Sequence, residues 1–259
     1  MDNQKIVADA STYYKNQLND YPYLKQAQYI TQKRKYNQNT IATFGIGISS
    51  DRNGLVDYLY SLGYDFDTMQ KYGLIGTLNE KPIDWLANRF TIEIKDVYGS
   101  TIGLVGRTIS GDKRYKYLTT KTTPIFVKRK TIFNLDKAKY YIDYINDPYL
   151  IIVEGQCDVM SLWQNGIRNV VALMGTSCSE YHAKLIKMFC EKVIICLDGD
   201  SAGQKGTERT ESTLNKYGIK TYRLLLPDGK DADEIMQIEN GKELFLELIN
   251  KVLKETHNG

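Results

Sequence analysis

The stretch that decides the fold is YLIIVEG, residues 149–155, a short apolar run that ends in an acidic residue and a glycine. Three further runs of this kind follow it: VVALMG (170–175), KVIICLDGD (192–200) and TYRLLLPDG (221–229). Segments of helical character lie between the runs, and a last helix is predicted near residues 241–254. Apolar strands that alternate with helices indicate a parallel sheet covered on both faces. Residues 149–259 are therefore predicted to form an α/β domain.

The preceding part of the chain mixes helical, strand and turn signals. Residues 5–18 and 51–62 are predicted to be helices. The segments RFTIEIKD (89–96) and TIGLVGRTI (101–109) flank a turn that contains Gly99, and together they predict a β-hairpin.

These patterns predict two domains. An α+β subdomain spans residues 1–135, a connecting helix spans 136–148, and the α/β domain occupies the rest. Pro148 is expected to end the connecting helix, because proline cannot continue one.

Composition is that of an ordinary globular protein. The 259 residues are 42% apolar and 25% charged, and no apolar run approaches the roughly 20 residues that span a bilayer. The N-terminus has no apolar core and does not resemble a signal peptide. The four cysteines form no CxxC pair, so we expect neither a zinc site nor a disulfide framework. A cytoplasmic location without a membrane partner is predicted.

A basic block precedes the α/β domain. Residues 105–139 contain ten basic and two acidic residues, a net charge of +8. Clustered lysine and arginine are typical of surfaces that bind nucleic acid, although such runs are also common on solvated faces.

Acidic residues collect after three of the four strands: Glu154, Asp158, Asp198, Asp200, Asp231 and Asp233. Ligands of open α/β sheets bind at the carboxyl ends of the strands, so these side chains are expected to line one crevice. Carboxylate oxygens around an open space suit Mg²⁺ or Mn²⁺. One Asp-Gly-Asp turn alone would be an ordinary turn, whereas three acidic turns on one sheet favour a metal site.

The acidic motifs resemble those of a known family. The segments EGQCDV (154–159), ALMGT (172–176), DGDSAG (198–203) and LPDGKDAD (226–233) are similar, in order, to the Toprim motifs of bacterial DnaG-type primases. This resemblance covers about residues 149–237. By itself it leaves topoisomerases, recombination-mediator proteins and Toprim nucleases open.

The upstream half also resembles the catalytic core of these primases. The matching segments are Tyr29 and Ile30 with Arg34, FGIGI (44–48), the hairpin through Arg107, KYL (116–118) and PIFVK (124–128). With them the resemblance runs over about residues 29–237. It implies a Toprim domain preceded by an α+β primase subdomain.

The resemblance implies roles for the acidic residues. Glu154 is the general base or a metal ligand, and Asp198 and Asp200 ligate Mg²⁺ or Mn²⁺. Asp158, Asp231 and Asp233 complete or support the metal site.

It also implies contacts to template, primer or nucleotide phosphates for a second group: Arg34, Arg107, Lys116, Tyr117 and Lys128. Tyr117 is expected either to stack on a base or to pack as an ordinary strand residue. His182 matches the family too, but a structural role is favoured for it.

The chain departs from the family pattern at several positions: Lys35, Glu93, Thr119, the pair Gln156 and Cys157, and Ala232. The residues of a zinc-binding module and of a helicase-binding domain are not found in this sequence. A separate zinc module and a replicative helicase are therefore expected partners, and both an isolated core and a compact phage-borne enzyme stay open.

The predicted activity is synthesis of short RNA primers on single-stranded DNA from ribonucleoside triphosphates. The alternatives are a metal-dependent nuclease or strand-passage enzyme, and a non-catalytic Toprim module that binds nucleic acid or nucleotides. A nuclease does not need the segment over residues 29–130, and a non-catalytic module is expected to have lost some of its carboxylates.

Overall fold

The computed structural model describes residues 5–110, 115–145, 147–175, 177–197 and 201–255. The chain divides into two compact units, one of residues 1–96 and 100–127 and the other of residues 97–99 and 128–259. Among the described helices, none is both long and apolar enough to cross a membrane.

The first unit begins with helices and continues with strands. Its helices are α1 (Ile6–Asp20), α2 (Lys25–Gln28), α3 (Gln38–Thr43), α4 (Gly54–Ser61) and α5 (Phe66–Lys71), and a π-helical turn, Tyr29–Lys33, follows α2. Its strands are β1 (Gly47–Ile48), β2 (Ile75–Leu78), β3 (Lys81–Asp84), β4 (Arg89–Lys95), β5 (Thr101–Thr108) and β6 (Tyr117–Thr119).

The strands of the first unit form an antiparallel sheet in the order β1-β4-β5-β6, and β2 pairs with β3 in a separate hairpin. The predicted hairpin of β4 and β5 is confirmed, with Phe90 opposite Arg107. This pairing matters for the site because it places an aromatic ring beside a buried arginine.

Helix α1 packs on the sheet through one apolar face. Ile6, Val7, Ala10 and Tyr14 recur at the three- and four-residue spacing of a helical stripe, and all four are buried. Gly47 allows β1 to lie close to the main chain of α1, because a Cβ at this position would lie 2.4 Å from the carbonyl carbon of Tyr14.

A buried carboxylate lies under α1. Asp84 is 2% exposed, and Tyr14 Oη and Ser49 Oγ donate to its two oxygens at 2.7 and 2.5 Å. The main-chain amide of Leu86 donates to it as well, at 2.7 Å. Burial raises the pKa of Asp84 to about 6, even though these donors favour the charged form.

The second unit alternates strands and helices. Its strands are β7 (Ile132–Phe133), β8 (Leu150–Val153), β9 (Val170–Leu173), β10 (Lys192–Cys196) and β11 (Lys220–Arg223). Its helices are α6 (Leu135–Ile142), α7 (Gln156–Gln164), α8 (Glu180–Lys187), α9 (Ser201–Lys216), α10 (Ala232–Met236) and α11 (Gly241–Glu255), with 3₁₀ turns at Lys128–Lys130 and Pro227–Gly229.

The sheet of the second unit has the order β11-β10-β8-β9-β7. The strands from β8 to β11 are parallel, as predicted. Every residue of β8 and of β9 is buried, which fits strands that are covered on both faces. The fold class expected from the sequence, an α/β domain preceded by an α+β subdomain, is confirmed.

One edge of this sheet differs from the expectation. β7 pairs antiparallel with β9, Ile132 lying opposite Leu173. α6, which follows it, buries Leu135, Ala138 and Ile142 in the core of the second unit. The structure differs from the predicted boundary at residue 135 and the predicted connecting helix at 136–148, because the boundary between the units lies at 127/128. The reason is that β7 belongs to the second sheet and α6 packs in the core of the second unit.

Candidate active site and nucleic-acid interface

The turn after β8 carries the first acidic residues. Glu154 follows the strand directly and is exposed, whereas Asp158 lies in the first turn of α7 and is 7% exposed. The amide of Gly155 donates to Asp158 Oδ2 at 2.9 Å, and a Cβ on Gly155 would lie 3.1 Å from that oxygen. A side chain at residue 155 would therefore require the Asp158 carboxylate to shift by a few tenths of an ångström.

Asp158 also ties α7 to α10. The amide of Asp233 donates to Asp158 Oδ1 at 3.2 Å. The Asp233 carboxylate is itself buried and accepts hydrogen bonds from Ser161 Oγ at Oδ1 and from Gln237 Nε2 at Oδ2, the latter at 3.1 Å. The oxygens of both carboxylates thus accept hydrogen bonds from donors within the protein.

The pKa of Asp158 reflects its burial and two neighbouring carboxylates. Burial, and after it the negative charge of Asp231, raises the pKa of Asp158 to about 7. The charge of Asp233 acts in the same direction, while the amide hydrogen bonds from Gly155 and Asp233 favour the carboxylate. Two of the acidic turns predicted from the sequence are therefore brought together.

Asp231 is the N-cap of α10. Its Oδ1 accepts from the amide of Glu234 at 2.7 Å, and its side chain is half-buried. Ala232 is the first residue of this helix, a position at which proline is also well tolerated.

The predicted metal ligands are only partly described. Asp198 and Asp200 lie outside the described residues, and within those residues no group of three carboxylate, histidine or cysteine side chains is spaced to hold a metal ion. The donor set nevertheless fits a hard divalent cation. Glu154 is exposed and Asp231 half-buried at this edge of the sheet, and both offer oxygen ligands.

In the first unit, the π-helical turn brings two of the predicted basic residues to one tyrosine. Arg34 donates to Tyr29 Oη through Nε and Nη2, at 3.0 and 2.9 Å. Arg107 donates to the same oxygen through Nη1. Arg107 is 7% exposed, which is rare for an arginine and indicates a fixed side chain.

Aromatic rings surround Arg107. Its guanidinium lies 5.3 Å from the ring centre of Tyr29, 5.4 Å from that of Tyr117 and 6.0 Å from that of Phe90. Tyr117, predicted as a base-stacking or packing residue, is half-buried on the edge strand β6. The neighbouring Lys116 is exposed, 5.8 Å from the Tyr117 ring centre.

Lys128 belongs to the second unit, whereas Arg34, Arg107 and Lys116 belong to the first. It is an exposed residue of the 3₁₀ turn that begins the second unit. Nearby in this unit, Ser179 Oγ donates to the carbonyl of Arg129 at 2.6 Å, and the amide of Ser179 donates to His182 Nδ1 at 3.3 Å. His182 is 1% exposed, and burial lowers its pKa, so a neutral structural imidazole is favoured.

A groove of about 620 Å³ on the first unit was not predicted from the sequence. Its lining includes Lys25, Ser50, Asn88, Arg89 and Ser110. Arg89 Nη1 donates to the carbonyl of Tyr115 at 2.8 Å, which fixes the arginine at the groove. The residues of this lining are scattered over the chain, so only the folded structure brings them together.

Two protein families match the chain. Residues 13–139 match the N-terminal domain of the DNA primase catalytic core, and residues 151–236 match the Toprim-like family. The chain belongs to the family of DnaG-type primase catalytic cores. Toprim primases are in general metal-dependent.

Similar proteins support this membership. The DNA primase of Clostridium acetobutylicum is 38% identical over 221 residues, which are 85% of this chain and 36% of that protein. The primase core described here thus spans about a third of the length of that relative.

Solved primase structures have the same fold. The zinc-binding and RNA polymerase domains of Aquifex aeolicus primase align with a TM-score of 0.86 at 30% identity, over 96% of this chain and 60% of that one. A DnaG primase catalytic domain bound to single-stranded DNA aligns with a TM-score of 0.84 at 29% identity, over 96% of this chain and 78% of that one.

Proposed function

We propose that this chain is the RNA polymerase core of a primase, which joins ribonucleotides on a single-stranded DNA template. The observation that carries the proposal is the presence of both primase segments in one chain, at residues 13–139 and 151–236. A Toprim-like domain alone occurs with several activities. The upstream primase segment favours primer synthesis over strand passage or DNA cleavage.

The carboxylates divide into two groups in this proposal. Glu154, Asp198 and Asp200 are proposed to hold the divalent ion, and the half-buried Asp231 to complete or support the metal site. Asp158 and Asp233 support the turns, because their oxygens already accept hydrogen bonds from the protein. A bound Mg²⁺ or Mn²⁺ would supply charge neutralisation at the reacting phosphate and at the leaving pyrophosphate.

Glu154 is the residue proposed to contact the reacting groups. It is exposed at the carboxyl end of β8, so it meets solvent and substrate where Asp158 does not. Its role is either to ligate the metal ion or to accept the proton of the attacking hydroxyl.

The basic residues of the first unit bind nucleotide and template in this proposal. Arg34 and Arg107 take the triphosphate, because guanidinium groups bind phosphate oxygens in pairs of hydrogen bonds. Lys116 and the Tyr117 edge strand contact the DNA strand, and Lys25 and Arg89 contact its backbone from the groove. Lys128 makes a further phosphate contact.

The proposed partners follow from the family. One related structure carries a zinc-binding domain together with the polymerase domain, and another contains single-stranded DNA. We therefore propose a zinc-binding module, supplied separately or in the same protein, a replicative helicase, and a cytoplasmic setting.

The test is direct. The protein is incubated with single-stranded DNA, labelled ribonucleoside triphosphates and Mn²⁺ or Mg²⁺, and short RNA products are sought on a gel. Degraded DNA would instead favour a nuclease. Binding of DNA or nucleotide without any product, under conditions in which a known primase is active, would favour a non-catalytic module.

A further inference from the structure

The π-helical turn gives Tyr29 and Arg34 an unusual relationship. The amide of Arg34 donates to the carbonyl of Tyr29 at 2.9 Å, a bond between residues five apart. In an α-helix, side chains three and four apart are neighbours. The wider π turn instead brings the side chain of residue 34 to that of residue 29. Such turns are rare in proteins, and those that occur are often at functional sites.

The phenolic oxygen of Tyr29 joins two cations from distant parts of the chain. Arg34 reaches it through Nε and Nη2, and Arg107, 78 residues further along, reaches it through Nη1. A guanidinium group has five N–H donors, of which the phenol engages two from Arg34 and one from Arg107. One neutral acceptor thus sets the position of both side chains.

The Tyr29 ring is itself held in place. It stacks on Phe90 with ring centres 5.7 Å apart and an interplanar angle of 27°. Phe90 lies opposite Arg107 in the pairing of β4 with β5. The position of the Tyr29 ring, and with it that of the phenolic oxygen, is therefore supported by packing on β4.

We propose that Tyr29 is a positioning residue that holds Arg34 and Arg107 together as a clamp for the triphosphate of a ribonucleotide. Two like charges that share one oxygen repel each other, and a polyanion placed against both relieves that repulsion. The phenol keeps the pair assembled before the anion arrives, so less ordering is needed on binding. This inference rests on the proposed function, because it assigns the two arginines to the nucleotide.

The hydroxyl and the ring can be tested separately. Tyr29→Phe removes the acceptor and keeps the stack on Phe90, whereas Tyr29→Leu removes both. Tyr141→Phe is the matched control in the other unit. The Tyr141 hydroxyl accepts from Arg168 Nη1 at 3.0 Å, and the Arg168 guanidinium lies 5.1 Å from its ring centre.

Five quantities are measured for each variant: the KM for ribonucleotide and the kcat in primer synthesis, the Kd for inorganic triphosphate, the Kd for a single-stranded oligonucleotide, and the melting temperature. Tyr29→Phe is expected to raise KM and the triphosphate Kd about tenfold, as for a lost hydrogen bond to a charged group. Its kcat, oligonucleotide Kd and melting temperature should stay close to those of the parent. Tyr141→Phe should leave the triphosphate Kd unchanged.

The outcomes are distinguishable. Parental KM and triphosphate Kd in Tyr29→Phe would overturn the inference while leaving the proposed function intact, and so would a defect confined to Tyr29→Leu. A parent protein that makes no RNA would refute the proposed function. The triphosphate titration would still decide the inference in that case, and failure of the parent to bind triphosphate would overturn it.

Discussion

The main-chain amide of Asp233 donates a hydrogen bond to the carboxylate of Asp158, which lies 75 residues earlier in the chain. Gly155 supplies a second amide to the same carboxylate. Asp158 therefore fixes two of the acidic turns by accepting hydrogen bonds, while Glu154 at the end of the preceding strand is exposed.

Replacing Asp158 by alanine should lower the free energy of unfolding by about 2 kcal/mol at pH 6, because two inward-facing amides lose their acceptor. At this pH a carboxyl whose pKa is about 7 is mostly neutral, so removing its charge gains little. The matched control, Glu154→Ala, should change stability by less than about 0.5 kcal/mol because Glu154 is exposed. Urea denaturation without metal measures both. Equal stability of the two variants would contradict the supporting role of Asp158.

The buried Asp84 predicts a pH dependence of stability. Its pKa is about 6 in the folded protein and 3.8 as a model value, so the folded state favours the protonated form. Its contribution to stability is fully present below pH 3.8 and is lost as pH rises through 6. Asp84→Asn should therefore be more stable than the parent above pH 6, by up to about 3 kcal/mol, and the difference should shrink towards pH 4. Urea denaturation at several pH values tests this, and a difference independent of pH would contradict it.

Lys35 predicts a stabilising substitution. It has φ of 54° directly after Arg34, and the amide of Tyr36 donates to the carbonyl of Ile30 at 3.1 Å across it. This is the left-handed end of a helix, where glycine is usual. Lys35→Gly should raise the free energy of unfolding by about 0.5–1 kcal/mol, since relief of backbone strain exceeds the entropy cost of glycine. Thermal melting measures it, and a fall in melting temperature would contradict it.

The metal prediction concerns Asp200. If Asp198 and Asp200 hold the ion, Asp200→Asn should abolish RNA synthesis and Mn²⁺ binding measured by calorimetry. Crowded carboxylates repel one another, so the variant should melt at the same or a higher temperature without metal. Asp67→Asn, a change at an exposed residue of α5, is the control. Full synthesis by Asp200→Asn would refute this metal assignment.

The basic residues predict a salt dependence of DNA binding. Each phosphate contact on a single strand contributes a log–log slope of about −0.7. Lys116→Ala with Lys128→Ala should weaken binding alike for all sequences and make the slope shallower by about 1.4. Lys187→Ala is the control, because Lys187 is paired with Glu191 at 2.6 Å. Fluorescence anisotropy at several salt concentrations measures the slope. An unchanged slope would show that these lysines are only a solvated surface.

The sequence predicted β8, β9 and β10 well, because strands buried on both faces are continuous apolar runs. The edge strand β11 is shorter than the predicted apolar run, because it covers Lys220–Arg223 and is largely exposed. It did not predict β7, since two residues carry no periodicity and the pairing of Ile132 with Leu173 depends on the folded sheet. The π-helical turn Tyr29–Lys33 was not predicted either.

Site residues show the same limit. Sequence motifs named Glu154 and Asp158 together, but only the structure separates an exposed carboxylate from a buried one that accepts two amides. Likewise, Arg107 was predicted as a phosphate contact, while its junction with Tyr29 depends on a strand pairing and a helix irregularity that no local pattern contains.

The short strand β7 also has a practical consequence for expressing the second unit alone. A protein that begins at residue 149, where the sequence pattern changes, would lack β7 and α6. The edge of β9 would be open. The core side chains against which Leu135, Ala138 and Ile142 normally pack would face water. An open apolar edge pairs with other chains, so such a fragment should aggregate. A fragment that begins at Lys128 keeps β7 paired with β9 and α6 packed on the core, and it should remain monodisperse.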